Sequence, residues 1–284
     1  MNSLVVGLGI GSVYVDELKK LGITPHTVDS DPIKLSDFTS IDEALAVHGS
    51  FDTVHICTPN FLHYDHAAYL APYAKIVFVE PTGVMNSIQW QHLTEAYPKT
   101  RFIMVKNNQY RDEFKQFRYQ SSTNKKISII WSNKNIPNPG HCHTTKDKAV
   151  GRNLLPQLLS YMSGFFDDYN TAKITKQSVS PIWSSDLVSD SGSYYIDDSV
   201  YIEFQLDNKQ IVVEANWGDD IKDEKCIKFS SEYSAIKYDL EACPNYAYGR
   251  MIKKCLENLN NDKFWNDQYL QDIWIHETIE QLNK

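Results

Sequence analysis

Six residues near the N-terminus have the types and the spacing of a phosphate-binding turn. The run Gly7-Leu8-Gly9-Ile10-Gly11-Ser12 follows the apolar stretch Leu4-Val5-Val6, and residues 13–20 continue with apolar side chains at helical spacing. In such a strand–turn–helix unit, glycines permit a tight turn and a close approach of backbone to a pyrophosphate, whose oxygens bind the first N–H groups of the helix. The pattern predicts a dinucleotide site that includes Gly7, Gly9, Ile10 and Gly11.

An acidic residue stands where a dinucleotide site needs one. Pro25-His26-Thr27-Val28 is typical of a second strand, and Asp29 follows it, 22 positions beyond Gly7. A carboxylate about 20 positions after the first glycine accepts hydrogen bonds from ribose hydroxyls and repels a 2′-phosphate. Residues 30–32 contain no arginine that would bind such a phosphate. The sequence therefore favours NAD(H) as the cofactor and leaves NADP(H) as an alternative.

The glycine spacing departs from the usual G-x-G-x-x-G pattern, because the third glycine, Gly11, comes one residue early. A turn shortened by one residue would restore the register, since Val13 and Leu18 would then face the sheet. Alternatively, Ser12 occupies the third position.

Polar residues follow three further apolar runs that are typical of strands. Residues 51–57 precede Thr58-Pro59-Asn60, residues 75–79 precede Glu80-Pro81-Thr82, and residues 102–105 precede Lys106-Asn107-Asn108. Ligands of parallel sheets bind beyond the carboxyl ends of the strands, so these segments are expected at one edge together with residues 7–12 and 29–31. We call this the carboxyl edge. The residues predicted to contact the cofactor there, besides the glycine turn and Asp29, are Thr58, Pro59, Asn60, His63 and Glu80.

Strands alternate with helical stretches over the first 115 or so residues, which predicts a Rossmann-type, doubly wound parallel sheet in a domain of residues 1–118. Beyond it, strand-like runs separated by turns predict an α+β domain of residues 119–284 with an open, mainly antiparallel sheet. A helix is expected over about 153–166, and two helices close the chain. The predicted fold class is therefore α/β, with a second α+β domain.

The composition limits the classes of function. The chain has 284 residues, 42% of them hydrophobic, and a net charge of −8, which argues against nucleic-acid or anionic-membrane partners. No apolar run approaches the ~20 residues of a membrane span, and no basic signal segment precedes the first strand. The five cysteines are scattered, and His141-Cys142-His143 has no companion pair, so neither disulfides nor a metal site are predicted. A cytoplasmic protein is expected.

Several of these motifs together resemble the Gfo/Idh/MocA family of NAD(P)-dependent oxidoreductases. The resemblance rests on Gly7-Leu8-Gly9, Asp29, the run from Thr58 to His63, and Glu80-Pro81, and it continues through Trp217 to the closing helices. It implies a nucleotide-binding N-terminal domain, a C-terminal domain whose open sheet often makes oligomer contacts, and an active site between them. It also implies a homodimer or homotetramer acting on a sugar, a cyclic polyol or a nucleotide sugar.

Three positions that usually carry the chemistry of that family differ here. The lysine of the Glu-Lys-Pro motif is missing, and aligning residues 151–164 with the usual catalytic helix puts Gln157 at the aspartate and Tyr161 at the histidine. Reducing a carbonyl by hydride transfer builds negative charge on oxygen, which requires a proton donor or a cation. The predicted catalytic residues are Tyr161 and Lys106, with Arg111 as another cation near the same edge. The residues predicted to contact substrate are Asn108, Arg152 and Gln157.

Competing interpretations stay open at this point. Tyr161 lies among apolar residues and is also compatible with a core tyrosine, and Lys106 with a solvated lysine. The missing lysine, the compact length and the basic residues near Arg152 also suit bilin reduction of the biliverdin-reductase kind. Because all three usual catalytic residues are replaced, a non-catalytic, dinucleotide-binding sensor is a further alternative.

Overall fold

The computed structural model describes residues 1–134, 154–183, 195–218, 221–240 and 247–282. The chain forms two compact units: unit 1 comprises Met1–Asn107 and Ala247–His276, and unit 2 comprises Asn108–Tyr246 and Glu277–Lys284. These units differ from the predicted domains 1–118 and 119–284, because residues 247–276 return to the N-terminal part. None of the helices in the described residues is long and apolar enough to cross a membrane.

Helices and strands alternate in the first part of the chain, and strands dominate the second. In chain order they are β1 Ser3–Val6, α1 Gly11–Lys20, β2 His26–Val28, α2 Ile41–His48, β3 Phe51–Ile56, α3 His63–Leu70, β4 Ala74–Val79, α4 Ser87–Ala96, β5 Arg101–Met104, α5 Phe114–Thr123, β6 Lys126–Asn133, α6 Leu155–Phe165, β7 Lys173–Trp183, β8 Tyr195–Leu206, β9 Lys209–Trp217, β10 Glu224–Ser230, β11 Ala235–Asp239, α7 Tyr248–Glu257 and α8 Asp262–Gln281.

The sheet of unit 1 is parallel and confirms the predicted Rossmann-type architecture. Its strand order is β2-β1-β3-β4-β5, so the order reverses between β1 and β3. A single parallel bridge between Val28 and Phe38 extends the sheet beyond β2. In such sheets, ligands bind outside the carboxyl ends of the strands at the point of reversal, and this point lies at the end of β1.

The strands of unit 1 are apolar because helices cover both faces of the sheet. Residues 54, 77 and 78 are completely buried, although successive side chains point to opposite faces. Local signals set the helix bounds. At α2, for example, the Ser40 hydroxyl accepts a hydrogen bond from Glu43 N–H, the Glu43 carboxylate accepts one from Thr39 N–H, and Gly49 ends the helix at φ 71°.

The sheet of unit 2 is mainly antiparallel, as predicted, and has the order β11-β10-β6-β9-β8-β7. Within it, β6 and β9 pair in parallel and the other neighbours pair antiparallel. A row of buried side chains crosses four strands on the face against which α6 packs, and it consists of Ile227, Ile129, Val213 and Ile202. The adjacent register row points to the opposite face and consists of Lys228, Ser128, Val212 and Glu203. Val212 is buried, but the other three are partly exposed, so this opposite face is open.

Candidate functional site

The first glycine of the turn occupies a position that other residues rarely adopt. Gly7 has φ +88°, and a Cβ atom placed on it would lie 2.7 Å from the Cys57 carbonyl oxygen. Its N–H donates to the Val28 carbonyl at 2.8 Å, which ties the end of β1 to β2. Glycine is therefore required here by both the backbone conformation and the neighbouring strand end.

The other two glycines of the turn serve different purposes. A Cβ atom on Gly9 would meet nothing within 4 Å, so this position faces open space, whereas one on Gly11 would lie 2.9 Å from Val5 Cγ1. Gly11 thus allows α1 to pack closely on β1, which is the usual task of the third glycine. The shortened turn is therefore favoured over Ser12, which is exposed. The inward-facing residues of α1 are Tyr14 and Leu18, whereas Val13 is only partly buried.

Backbone donors at the start of α1 form a cradle for an anion. Leu8 N–H donates to the Asp29 carboxylate at 2.6 Å, whereas the N–H groups of Gly9, Ile10 and Gly11 meet no acceptor within the described ranges. No side chain caps α1, and its first turn contains no acidic residue. The positive end of the helix dipole and the three donors therefore face the open side of Gly9, as a bound pyrophosphate requires.

Asp29 is positioned by two backbone N–H groups. Its Oδ2 accepts from Leu8 at 2.6 Å and its Oδ1 accepts from Asp31 at 2.9 Å. A carboxylate has about four acceptor positions, so two remain for the hydroxyls of a ribose. Asp29 is partly exposed, which leaves these positions accessible.

His63 joins two segments of the carboxyl edge. The ring is fully buried, with Nδ1 2.7 Å from the Gly83 carbonyl oxygen and Nε2 2.7 Å from that of Thr58. Burial lowers the pKa of His63 to about 4, although the two carbonyl contacts oppose this shift. This placement supports the backbone of Thr58 and thereby Pro59 and Asn60; direct contact between His63 and a cofactor stays a prediction.

Glu80 follows β4 and is linked to α1. The buried Tyr14 hydroxyl donates to Glu80 Oε1, and the Tyr14 ring packs against Tyr248 of α7 with 4.6 Å between centroids. Desolvation raises the pKa of Glu80 to about 7, although the hydrogen bond from Tyr14 opposes this shift. A carboxyl group with such a pKa exchanges a proton near neutrality.

Lys106 and Asp272 form a buried ion pair in unit 1. Both side chains are completely inaccessible, Lys106 Nζ donates to Asp272 Oδ1, and Oδ2 accepts from Met104 N–H at 3.1 Å. Burial raises the pKa of Asp272 to about 6, and the adjacent ammonium opposes this shift. The geometry therefore gives the Lys106 ammonium a structural partner. The catalytic role expected from the sequence finds no support in this placement.

Three sequence-predicted residues meet in unit 2. The Tyr161 hydroxyl donates to Asn108 Oδ1 at 3.0 Å, and Asn108 Nδ2 donates to Gln157 Oε1 at 3.3 Å. Tyr161 is fully buried, whereas Gln157 on the first turn of α6 is partly exposed. The chain of bonds therefore orients the Gln157 amide, whose Nε2 has no partner among the described residues.

The surroundings of Tyr161 favour a positioning role over proton transfer. Its ring packs among Phe114, Phe117 and Phe165, and burial raises its pKa well above 10, although the Arg111 guanidinium opposes this shift. A phenol with such a pKa is a poor base at neutral pH. The positioning of Asn108 is its better-supported task.

We expect Tyr161→Phe to lower the free energy of unfolding by about 1–3 kcal/mol, because Asn108 Oδ1 loses its buried donor. Urea unfolding measures this change, with Tyr119→Phe at an exposed position of α5 as the control. The affinity for NADH should stay unchanged. A Tyr161→Phe protein with wild-type stability would contradict the positioning role.

Several of the residues singled out in the sequence have no described position. Arg152, the basic residues near it and His141-Cys142-His143 lie outside the described residues. No cluster of metal-binding side chains occurs within the described ranges. Tyr14 and Asp272 were not predicted from the sequence as site residues. Only the position of Tyr14, one helical turn after Gly11, indicates an inward-facing residue there.

Comparison with known proteins gives a likeness in structure. No protein-family model and no curated protein matches the chain. GenD2 from gentamicin A biosynthesis, solved with NAD, has a TM-score of 0.77 at 14% identity over 99% of this chain and 92% of its own. A myo-inositol dehydrogenase from Corynebacterium glutamicum has a TM-score of 0.73 at 11% identity, and the match covers 100% of this chain and 95% of that one. The WlbA dehydrogenase from Bordetella pertussis, solved with NADH and UDP-GlcNAcA, has a TM-score of 0.67 at 14% identity, and the match covers 100% of this chain and 97% of that one. The chain therefore has the fold that these dehydrogenases share.

Proposed function

We propose that this protein is an NAD(H)-dependent oxidoreductase of the Gfo/Idh/MocA type that acts on a sugar, a cyclic polyol or a nucleotide sugar. The observation that carries the proposal is the pairing of the open N–H cradle at Gly9–Gly11 with the Asp29 carboxylate beside it. Two dehydrogenases of the same fold support this substrate class, since one is named for myo-inositol and the other was solved with UDP-GlcNAcA.

The residues of unit 1 fit a dinucleotide. The N–H groups at Gly9–Gly11 would bind the pyrophosphate, Asp29 would accept the adenosine ribose hydroxyls, and Thr58, Pro59 and Asn60 would line the nicotinamide side. Bound NAD(H) supplies or accepts the hydride. This chain must then orient the substrate and move a proton to or from its oxygen. Asn108 and Gln157 are the proposed substrate contacts in unit 2.

The first experiment is a titration of the protein with NADH and with NADPH, followed by quenching of tryptophan fluorescence. We expect NADH to bind more tightly, because Asp29 repels the 2′-phosphate of NADPH. Failure of both cofactors to bind would overturn the proposed function. Binding without turnover of any sugar, polyol or biliverdin would favour the sensor alternative.

Asp29→Ala tests the basis of cofactor choice. We expect the variant to bind NADH at least about tenfold more weakly, because hydrogen bonds from the ribose hydroxyls to a charged acceptor are lost, and a single such bond has a net worth of about 1.5–3 kcal/mol. NADPH affinity should change less, because the repulsion disappears with the carboxylate. Asp31→Ala, a neighbouring acidic residue, is the matched control. An equal loss for both cofactors would contradict the argument from Asp29.

We further propose a cytoplasmic location and a homodimer or homotetramer. The free thiols of Cys57, Cys226 and Cys255 support a reducing compartment. The open face of the second sheet supports self-association, which light scattering of the purified protein would measure.

A further inference from the structure

A bound dinucleotide would run along the carboxyl edge in one direction. Asp29 follows β2 and the glycine turn follows β1, so the adenosine and the pyrophosphate take these positions in the proposed function. The strand order β2-β1-β3-β4 then places the nicotinamide half over the ends of β3 and β4. Glu80 is the first residue after β4.

The backbone of Glu80 is fixed on two sides. Its N–H donates to the Ile56 carbonyl at 3.1 Å, and its carbonyl accepts from Gly83 N–H at 2.7 Å. Cys57 borders both Glu80 and the glycine turn. Its Sγ lies 3.7 Å from the position a Cβ on Gly11 would take, and burial beside the Glu80 carboxylate raises the pKa of the Cys57 thiol. Glu80 is thus a near neighbour of the turn.

The carboxyl group of Glu80 has one engaged and one available oxygen. Tyr14 donates to Oε1, whereas Oε2 has no partner among the described residues, and the side chain is partly exposed. Among the described residues, the titratable groups around it are Tyr14 from α1 and Cys57, which follows β3, and the Tyr14 ring in turn contacts Tyr248 of α7 and His55 of β3. This arrangement holds one oxygen still and leaves the other to exchange a proton.

We propose, on the basis of the proposed function, that Glu80 is the proton donor and acceptor of the reaction, with Oε1 held by Tyr14 and Oε2 directed at the reacting substrate oxygen beside the nicotinamide. In reduction, the carbonyl carbon gains the hydride and its oxygen gains the Glu80 proton. The carbonyl becomes an alcohol, NADH is oxidised to NAD⁺, and the Glu80 carboxylate recovers a proton from solvent. In oxidation each transfer reverses. Glu80 takes over the proton transfer for which the usual lysine, aspartate and histidine are missing.

The proposal has a consequence that binding alone can measure. NAD⁺ carries a positive nicotinamide ring and NADH does not, so a Glu80 carboxylate beside the ring favours NAD⁺. Desolvation raises the Glu80 pKa to about 7, and the group is therefore neutral below that pH and charged above it. The affinity for NAD⁺ relative to NADH should rise about five- to tenfold from pH 6 to pH 8, because an opposite charge 4–6 Å away lowers the pKa of a carboxyl group by about one to two units.

Calorimetric titration with NAD⁺ and with NADH over this pH range tests the proposal. We expect Glu80→Gln to bind both cofactors with a ratio independent of pH, and Glu80→Asp to keep a pH-dependent ratio. Tyr14→Phe should move the transition to higher pH, because the carboxylate loses a donor that stabilises it. Glu95→Gln, at an exposed position on α4, should behave as the wild-type protein.

The outcomes separate this proposal from the proposed function. If wild-type protein binds neither cofactor, the proposed function itself fails. If it binds both with a ratio that pH does not change, or if Glu80→Gln keeps the wild-type transition, the role of Glu80 is overturned and NAD(H) binding stands. A purely structural Glu80 would alter stability without moving the ratio. If the wild-type protein turns over myo-inositol or UDP-N-acetylglucosamine, that turnover should fall at least about 100-fold in Glu80→Gln.

Discussion

Replacing Lys106 by methionine is expected to lower the free energy of unfolding by about 3–5 kcal/mol. The substitution removes the positive partner of Asp272 and leaves a fully buried carboxyl group without a counter-charge. Methionine fills a similar volume, so the cost comes from electrostatics more than from packing. Urea unfolding at pH 7.5 measures the loss, and Lys99→Met, at an exposed lysine just before β5, should change stability little.

The pH dependence of this loss follows from Asp272. Its pKa in the folded protein, about 6, lies above the value of about 3.9 expected in the unfolded chain. The stability associated with the protonated carboxyl is therefore present below pH 4 and is lost as pH rises through 6. Without Lys106 the folded pKa rises further, so the Lys106→Met protein should lose less stability at pH 5 than at pH 7.5. Equal losses at both values would contradict this account.

A double variant separates structure from catalysis at Lys106. In Lys106→Met/Asp272→Asn the buried charges are both removed, and an asparagine can still accept from Met104 N–H. We expect most of the lost stability to return. If the folded double variant retains turnover, Lys106 has a structural role. If it binds NADH but lacks turnover, the original expectation of a catalytic lysine is restored.

Gly9→Ala is expected to weaken NADH binding by about 5- to 150-fold without reducing the stability of the protein. A Cβ atom at this position meets nothing within 4 Å in the protein, yet it enters the space that a pyrophosphate would occupy. This loss of affinity corresponds to about 1–3 kcal/mol for an added methyl group in a filled site. Fluorescence titration and thermal unfolding measure the two properties separately.

Gly7→Ala is the matched comparison, because it should lower the stability of the protein, which Gly9→Ala should not. The residue has φ +88° and lies against the Cys57 carbonyl, so a loss of about 2–5 kcal/mol in the free energy of unfolding is expected. If Gly9→Ala binds NADH as tightly as the wild-type protein, the pyrophosphate does not lie over Gly9. The proposed position of the cofactor would then be wrong.

The parallel sheet and its carboxyl edge were predictable, because these features depend on short-range patterns. The glycine spacing, the apolar strands and the acid after β2 are all local in sequence. Two elements were not predicted. These are α5 and β7. In α5, Phe114 and Phe117 are the only large buried apolar residues, and the rest of the helix is polar. Strand β7 lies at the edge of its sheet, and its residues 173–180 are mostly exposed. Neither presents a wide apolar face, so the periodic signal is weak.

The site residues show a different limit. Asn108, Gln157 and Tyr161 were singled out from the sequence, and they do lie together, but the burial of Tyr161 that raises its pKa depends on Phe114 and Phe117 of an unpredicted helix. The partner of Lys106 is 166 positions away, and no local pattern indicates it. Long-range pairing determines which polar side chains are available for contact with ligands, and such pairing cannot be deduced from local patterns in a single sequence.

The return of residues 247–276 to unit 1 has a consequence for how the protein is made. Lys106 is synthesised early, but Asp272 leaves the ribosome only after the whole second sheet. Until then, Lys106 lacks its buried partner, and the side of α1 against which Tyr248 will pack is uncovered. Folding of the nucleotide-binding unit should therefore finish only after residues 247–276 have been synthesised, and an N-terminal fragment ending near residue 118 should be a less stable, partly folded species.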